Sequence, residues 1–82
     1  EAKEQRKLAA RRDELTAGIE QAEARVHEIN EIFCDPQYFD RTPAADVKKL
    51  EKEQKRLTQR IVELLQEWEA VEEELAALSP AT

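Results

Sequence analysis

The chain has 82 residues and a formal net charge of −6, with 39% charged and 40% hydrophobic residues. This length supports one small structural unit rather than a thick globular core. The sequence has neither the apolar run of about eighteen residues that a membrane-spanning helix needs nor a secretory signal pattern, so we expect no membrane partner.

The first predicted element is a helix over about Ala2–Phe33. Its composition, rich in Ala, Glu, Lys, Leu and Arg, is typical of long helices and coiled coils. The helical pattern is present from the first residues, and no initiator Met precedes it, so we expect a segment of a longer protein. Apolar residues recur at alternating steps of four and three, which keeps one stripe facing a partner helix. That stripe consists of Leu15, Ile19, Ala22, Val26, Ile29 and Phe33.

The second predicted element is a tip at residues 34–42, with the sequence CDPQYFDRT. Asp35 and Thr42 are good helix N-caps, and each precedes a proline, a residue favoured in the first helical turn. These prolines are Pro36 and Pro43. Because a proline disfavours helical geometry in the residue before it, the first helix must end near Cys34.

We expect a short helical turn at residues 36–40 of this tip. Tyr38 and Phe39 would then fold over the open end of the apolar stripes, beside Phe33 and Val47. The alternative is that one of the two rings is presented to a partner.

The third predicted element is a helix over residues 43–78. Two apolar stripes in one short chain predict a helical hairpin in which the stripes meet, and we call their contact the seam. The second stripe has the same spacing as the first and includes one polar residue. It consists of Val47, Leu50, Gln54, Leu57, Ile61, Leu64, Trp68, Val71, Leu75 and Leu78.

The order of charges predicts the direction of pairing. Residues 1–12 and 41–60 are net positive, whereas residues 13–40 and 61–82 are net negative. Antiparallel helices place opposite charges together along the whole length, although each exposed pair contributes only a few tenths of a kcal/mol. We therefore predict an all-α fold, a two-helix antiparallel coiled-coil hairpin with a short helical turn at the tip. A shift of the register by one heptad stays open.

Three further apolar side chains, Ile32, Val62 and Leu65, lie outside the predicted seam. The seam alone offers marginal stabilisation for a chain of this length. We therefore expect a second contact surface, used either in a homodimer or against a neighbouring domain of a parent protein.

The sequence offers no residue set for catalysis or for a cofactor or metal site. A phosphate-binding loop needs two glycines, and Gly18 is the only one. His27 and Cys34 lack a further Cys or His that would complete a metal or nucleophilic site. We expect a non-enzyme with a solvated His27, and the lone cysteine favours a reducing compartment. Gly18 is either a tolerated weak position in a helix or a site of close backbone approach.

Two basic clusters are candidates for contacting phosphate groups. The alternative is a solvated face whose cations are neutralised by acidic residues across the seam. Negative net charge and a lack of aromatic residues among the cations for base stacking argue against nucleic acid. The candidate contacts are Arg6, Arg11, Arg41, Lys48, Lys49, Lys52, Lys55 and Arg56.

The stretch CDPQYFD, a Lys/Glu-rich heptad helix and the run LLQEWEAVEEELAAL together resemble the C-terminal coiled-coil region of ABC-F proteins. These are tandem ATP-binding-cassette ATPases without membrane domains, in which a helical hairpin follows the second cassette. The family's turn has an Asp-Pro pair followed by a tyrosine, and its second helix ends in a W-E-x-x-E-E-x-L-like run. The matching residues here are Asp35, Pro36 and Tyr38 in the turn and Trp68, Glu69, Glu72 and Leu75 in the closing run.

The resemblance implies a cytoplasmic, non-catalytic appendage that positions or regulates an ATPase by contacting the ribosome or nucleic acid, either DNA, ribosomal RNA or tRNA. ATP and Mg²⁺ would bind the cassettes of the parent protein, and no cofactor is expected in this segment. The acidic net charge departs from the basic character expected of nucleic-acid-binding members. Two other functions stay open: a protein-interaction or self-association coiled coil, and the arm of a translation factor or tRNA synthetase outside this family.

Overall fold

The computed structural model describes residues 2–78, which are 95% helical and contain no strand. The chain forms a long helix α1 (Ala2–Phe33), a short helix α2 (Pro36–Arg41) and a second long helix α3 (Ala44–Leu78). The molecule is elongated, with extents of 59 × 18 × 16 Å. The prediction of an all-α fold is confirmed. None of these three helices combines the length and the apolar character that a membrane crossing requires.

Each long helix buries the face that carries its apolar stripe. Leu15 and Ile29 of α1 are the most enclosed side chains, at 1% and 0% exposure. The other buried residues are Ile19 and Ala22 of α1 and Leu64 and Val71 of α3. The remaining residues of the predicted seam are partly buried, namely Val26, Phe33, Val47, Leu50, Gln54, Leu57, Ile61, Trp68, Leu75 and Leu78.

Side-chain contacts between α1 and α3 join early residues of one helix to late residues of the other. Arg11 Nη2 donates to Glu67 Oε2 at 2.8 Å. Farther along α1, Arg25 Nε donates to Glu53 Oε2 at 2.7 Å.

Two further contacts near the middle of the molecule join the long helices. A Cβ atom added at Gly18 would lie 3.5 Å from Leu64 Cδ1. One turn away, Trp68 Nε1 donates to Thr16 Oγ1 at 3.2 Å.

The tip forms because Asp35 and the prolines interrupt one helix and start the next. Asp35 has extended backbone geometry (φ −88°, ψ 109°), and its Oδ1 accepts from Gln37 N at 3.0 Å. Thr42 returns to extended geometry (φ −112°, ψ 132°) and ends α2. The carbonyl oxygen of Pro43 then accepts from Val47 N at 3.2 Å, so α3 begins at Ala44.

Candidate nucleic-acid interface

Five cations lie on the outer face of α3, close to the tip. Their spacing of three, four and seven residues gathers them on one side of the helix, and they are offset from the seam positions Val47, Leu50, Gln54 and Leu57. All five are exposed. At about 1.5 Å per residue they cover roughly 12 Å of helix. We call this surface the basic face, and it consists of Lys48, Lys49, Lys52, Lys55 and Arg56.

The basic face is not neutralised by the carboxylates around it. Within residues 2–78, none of its four lysines forms an ion pair, and Arg56 has only a weak electrostatic interaction with Glu53. By contrast, every arginine that faces the other long helix has a carboxylate partner. Those partnered arginines are Arg11, Arg12 and Arg25.

The Arg25–Glu53 ion pair holds one of the glutamates next to the basic face away from the lysines. Arg25 donates to both Glu53 oxygens, Nε to Oε2 at 2.7 Å and Nη2 to Oε1 at 3.1 Å. This hydrogen bonding lowers the pKa of Glu53 and raises the pKa of Arg25. Glu53 therefore stays ionised with its charge directed across to α1, away from the outer face of α3.

The other candidate phosphate contacts lie elsewhere. Arg11 is held between Glu14 and Glu67, at 3.2 and 2.8 Å. Arg41 pairs with Asp35 at 3.3 Å and fastens the end of α2 to its cap. Arg6 is exposed near the start of α1. The structure thus gathers five of the eight predicted residues on one surface and separates the other three from it.

Three aromatic rings form the tip cluster. Phe33 lies 6.1 Å from Tyr38 and 5.7 Å from Phe39 between ring centroids, and Tyr38 meets Phe39 edge-on at 5.5 Å. Phe33 and Tyr38 are partly buried, as expected of a tip core, but Phe39 is 48% exposed. Phe39 borders an open concavity that is also lined by Val47 and Lys48.

The adjacency of Phe39 to the basic face was missed from the sequence. The sequence pattern places the aromatic residues in a tip and the lysines on a helix face, and neither pattern indicates a contact between the two. The available signal was the Thr42-Pro43 turn, which is short enough to return the chain from Phe39 to Lys48.

The remaining chemistry-bearing residues stand apart from one another. His27 Nε2 lies 3.2 Å from Glu31 Oε1 on the exposed side of α1. Cys34 is exposed at the end of that helix. Among residues 2–78 there is no group of three His, Cys, Asp or Glu side chains arranged to hold a metal ion.

The apolar residues outside the seam do not form one surface. Val62 and Leu65 are 51% and 41% exposed on α3. Leu65 lines a groove with Ile19 and Trp68, whereas Ile32 is partly buried beside Tyr38 at the tip. The expected widened apolar face is therefore divided into two separate parts.

No family of known proteins, no curated protein and no solved structure matched this chain in comparisons of its sequence and fold.

Proposed function

We propose that this chain is a non-catalytic arm that binds nucleic acid through the phosphate backbone. The observation that carries the proposal is the basic face of α3, whose four lysines are exposed and free of ion pairs within residues 2–78. Lysine clusters that retain their charge attract polyanions and release the counterions condensed on them.

The arm itself is proposed to be an antiparallel coiled-coil hairpin. Support comes from Arg11 beside Glu67 and Arg25 beside Glu53, since residues flanking an apolar seam set the orientation of paired helices through such ion pairs. The polar seam residue Gln54 adds to this by donating a hydrogen bond to Asn30 Oδ1. A single polar position in a seam specifies register at some cost in stability.

The net charge of −6 does not prevent this binding. Electrostatic interactions between exposed charges are screened beyond about 8 Å at physiological ionic strength. The acidic end of α3 lies beyond that range, because Glu73 is seventeen residues from Arg56 along the helix, roughly 25 Å at about 1.5 Å per residue. The local positive charge of the basic face, rather than the net charge, therefore determines whether a phosphate backbone is attracted to it.

The resemblance of the tip and of the Trp68 run to ABC-F proteins suggests a context for the arm. We propose that it belongs to a cytoplasmic ABC-F ATPase, in which ATP and Mg²⁺ bind the cassettes and the arm positions them on the ribosome or on nucleic acid. The direct test is the sequence encoded immediately upstream of Glu1, where two ATP-binding cassettes are expected. A different upstream domain would remove this context and leave the binding proposal in place.

The binding proposal predicts a strong dependence on salt. Five phosphate contacts give a slope of log K against log salt of about −4 to −5 on duplex DNA. We expect Lys52→Gln combined with Lys55→Gln to weaken binding and to reduce this slope by about 2. The measurement is fluorescence anisotropy with labelled duplex DNA and ribosomal RNA fragments at several salt concentrations.

The matched control removes the same charge from exposed lysines at the other end of the molecule. Lys3→Gln combined with Lys7→Gln should leave the slope within about 0.5 of the parent value, because these residues lie outside the basic face. Equal losses of affinity in the two double variants would mean that net charge alone drives binding. Absence of salt-sensitive binding to either nucleic acid would remove the proposal.

A second candidate function is docking of another helix against Val62 and Leu65. Their exposure of 51% and 41% on one side of α3 is the observation in its favour. Occupancy of this surface by a second copy would make the chain a self-association module.

A further inference from the structure

We propose that the exposed face of Phe39 is a stacking platform for an unpaired nucleobase, so that the arm binds looped or single-stranded nucleic acid in preference to duplex. This inference rests on the proposed function, because the basic face supplies the phosphate contacts beside the stacked base.

One face of the Phe39 ring is already occupied. Phe33 stacks on it with centroids 5.7 Å apart and an interplanar angle of 23°. Tyr38 meets the ring nearly at right angles, at 78°. Phe39 is nevertheless 48% exposed, so about half of its surface stays open to solvent.

The platform is held in place by the contacts that build the tip. Asp35 caps α2 through its hydrogen bond from Gln37 N and is itself paired with Arg41 at 3.3 Å. These contacts attach both ends of the six-residue helix to one side chain. A ring fixed before binding loses little conformational entropy when a base stacks on it.

The surroundings of the ring combine the apolar side chains of Ala44 and Val47 with polar groups that suit a nucleotide. The concavity beside Phe39 is lined by Lys48, by Thr42 with its hydroxyl group, and by Glu51 with its carboxylate. Thr42 and Glu51 offer hydrogen-bonding groups to the edge of a base. Lys48 provides the first positive charge for the adjoining phosphate.

The basic face then continues from Lys48 along α3. Lys48, Lys52 and Lys55 succeed one another at intervals of about 4.5–6 Å along the helix axis. An aromatic platform at the end of a line of cations is the arrangement by which proteins bind single strands and loops, since bases in a duplex are covered by their neighbours. The preferred ligand is therefore a strand whose bases are accessible.

The test compares two labelled RNAs with the same number of phosphates, a stem-loop and a blunt duplex. We expect the chain to bind the stem-loop more tightly. Phe39→Leu keeps an apolar side chain against Phe33 and should weaken stem-loop binding on the order of tenfold, with duplex binding unchanged. Phe39→Trp should retain the preference, and 2-aminopurine placed in the loop should change fluorescence with the parent chain but not with Phe39→Leu.

Two controls separate this inference from the proposed function. Val62→Ala alters a side chain of similar exposure away from the tip and should change neither affinity. Lys52→Gln with Lys55→Gln should weaken binding to both RNAs. If Phe39→Leu binds both RNAs as the parent does while the lysine variant loses affinity for both, the stacking platform is wrong and the basic face stands. If the parent binds neither RNA, both proposals fail.

Discussion

Gly18 is the clearest single-residue test of how closely the two long helices approach. It lies in the interior of α1 without positive φ, so its backbone does not require glycine. An added Cβ would lie 3.5 and 4.0 Å from the two Cδ atoms of Leu64, which is ordinary van der Waals contact. Glycine inside a helix costs about 1 kcal/mol relative to alanine.

We therefore expect Gly18→Ala to stabilise the fold by about 1 kcal/mol, raising Tm by about 4–8 °C for a domain of this size. The measurement is thermal unfolding followed by circular dichroism. Ala17→Gly is the matched control, because it makes the reverse exchange at an exposed neighbouring position and should lower Tm by a similar amount. A lower Tm in Gly18→Ala would instead indicate that another backbone approaches closely at this site.

At the scale of the elements, the Arg25–Glu53 pair fastens α1 to α3 beside the basic face. Its two hydrogen bonds, at 2.7 and 3.1 Å, lower the pKa of Glu53 below its ordinary value. A carboxyl group with a lowered pKa in the folded state stabilises the fold above its unfolded-state pKa. That stabilisation is lost as pH falls through the folded-state pKa.

We expect Glu53→Gln to lower Tm at neutral pH, because the charged partner of Arg25 is lost. The difference in Tm between the parent and the variant should shrink as pH falls below about 4.3, where the glutamate of the unfolded chain takes up a proton while Glu53 of the folded chain is still ionised. Thermal unfolding between pH 3 and pH 7 measures it. Glu63→Gln is the control, since Glu63 pairs with Arg60 inside α3 and does not join the helices. A difference in Tm between the parent and Glu53→Gln that does not change with pH would contradict the role assigned to the ion pair.

The helices themselves were predictable because their signals are local. The end of α1 at Phe33 and the cap at Asp35 follow from an Asp-Pro pair and a change in apolar spacing. The partner of Arg25 was not predictable. The apolar spacing repeats every seven residues. Apolar positions of the two helices therefore meet equally well when α3 is shifted by seven residues along α1, and the spacing alone does not identify the partner of Arg25. The structure places Leu64 against Gly18, and that contact is not visible in the sequence.

At the scale of the whole molecule, the candidate site depends on how the tip directs the chain from α1 through α2 into α3. The sequence identified the cations of α3, because their spacing is that of one helix face. It did not predict that Phe39 lies beside Lys48, since that depends on the angle at which α2 joins α3. The sequence also did not predict that Ile32 and Leu65 are separated. Ile32 lies at the tip end of α1, whereas Leu65 lines a groove with Ile19.

The two candidate functions, nucleic-acid binding and self-association, are expected to respond to salt in opposite directions. Specific interfaces bury about 800 Å² on each partner, and the exposed parts of Val62 and Leu65 supply only a fraction of that. Two copies, each with a net charge of −6, also repel each other. Self-association through this surface is therefore weak at low salt and strengthens as salt screens the repulsion, whereas binding to nucleic acid weakens.

We expect sedimentation equilibrium to find a monomer at micromolar concentration and low salt, with any dimer increasing as salt is raised. Leu65→Gln should reduce that dimer and leave nucleic-acid affinity unchanged, while Lys52→Gln with Lys55→Gln should have the converse effect. A stable dimer at low salt that persists in Leu65→Gln would contradict this assignment, because another surface would then join the two copies. Since the two variants alter separate surfaces of α3, one salt series on each separates self-association from nucleic-acid binding.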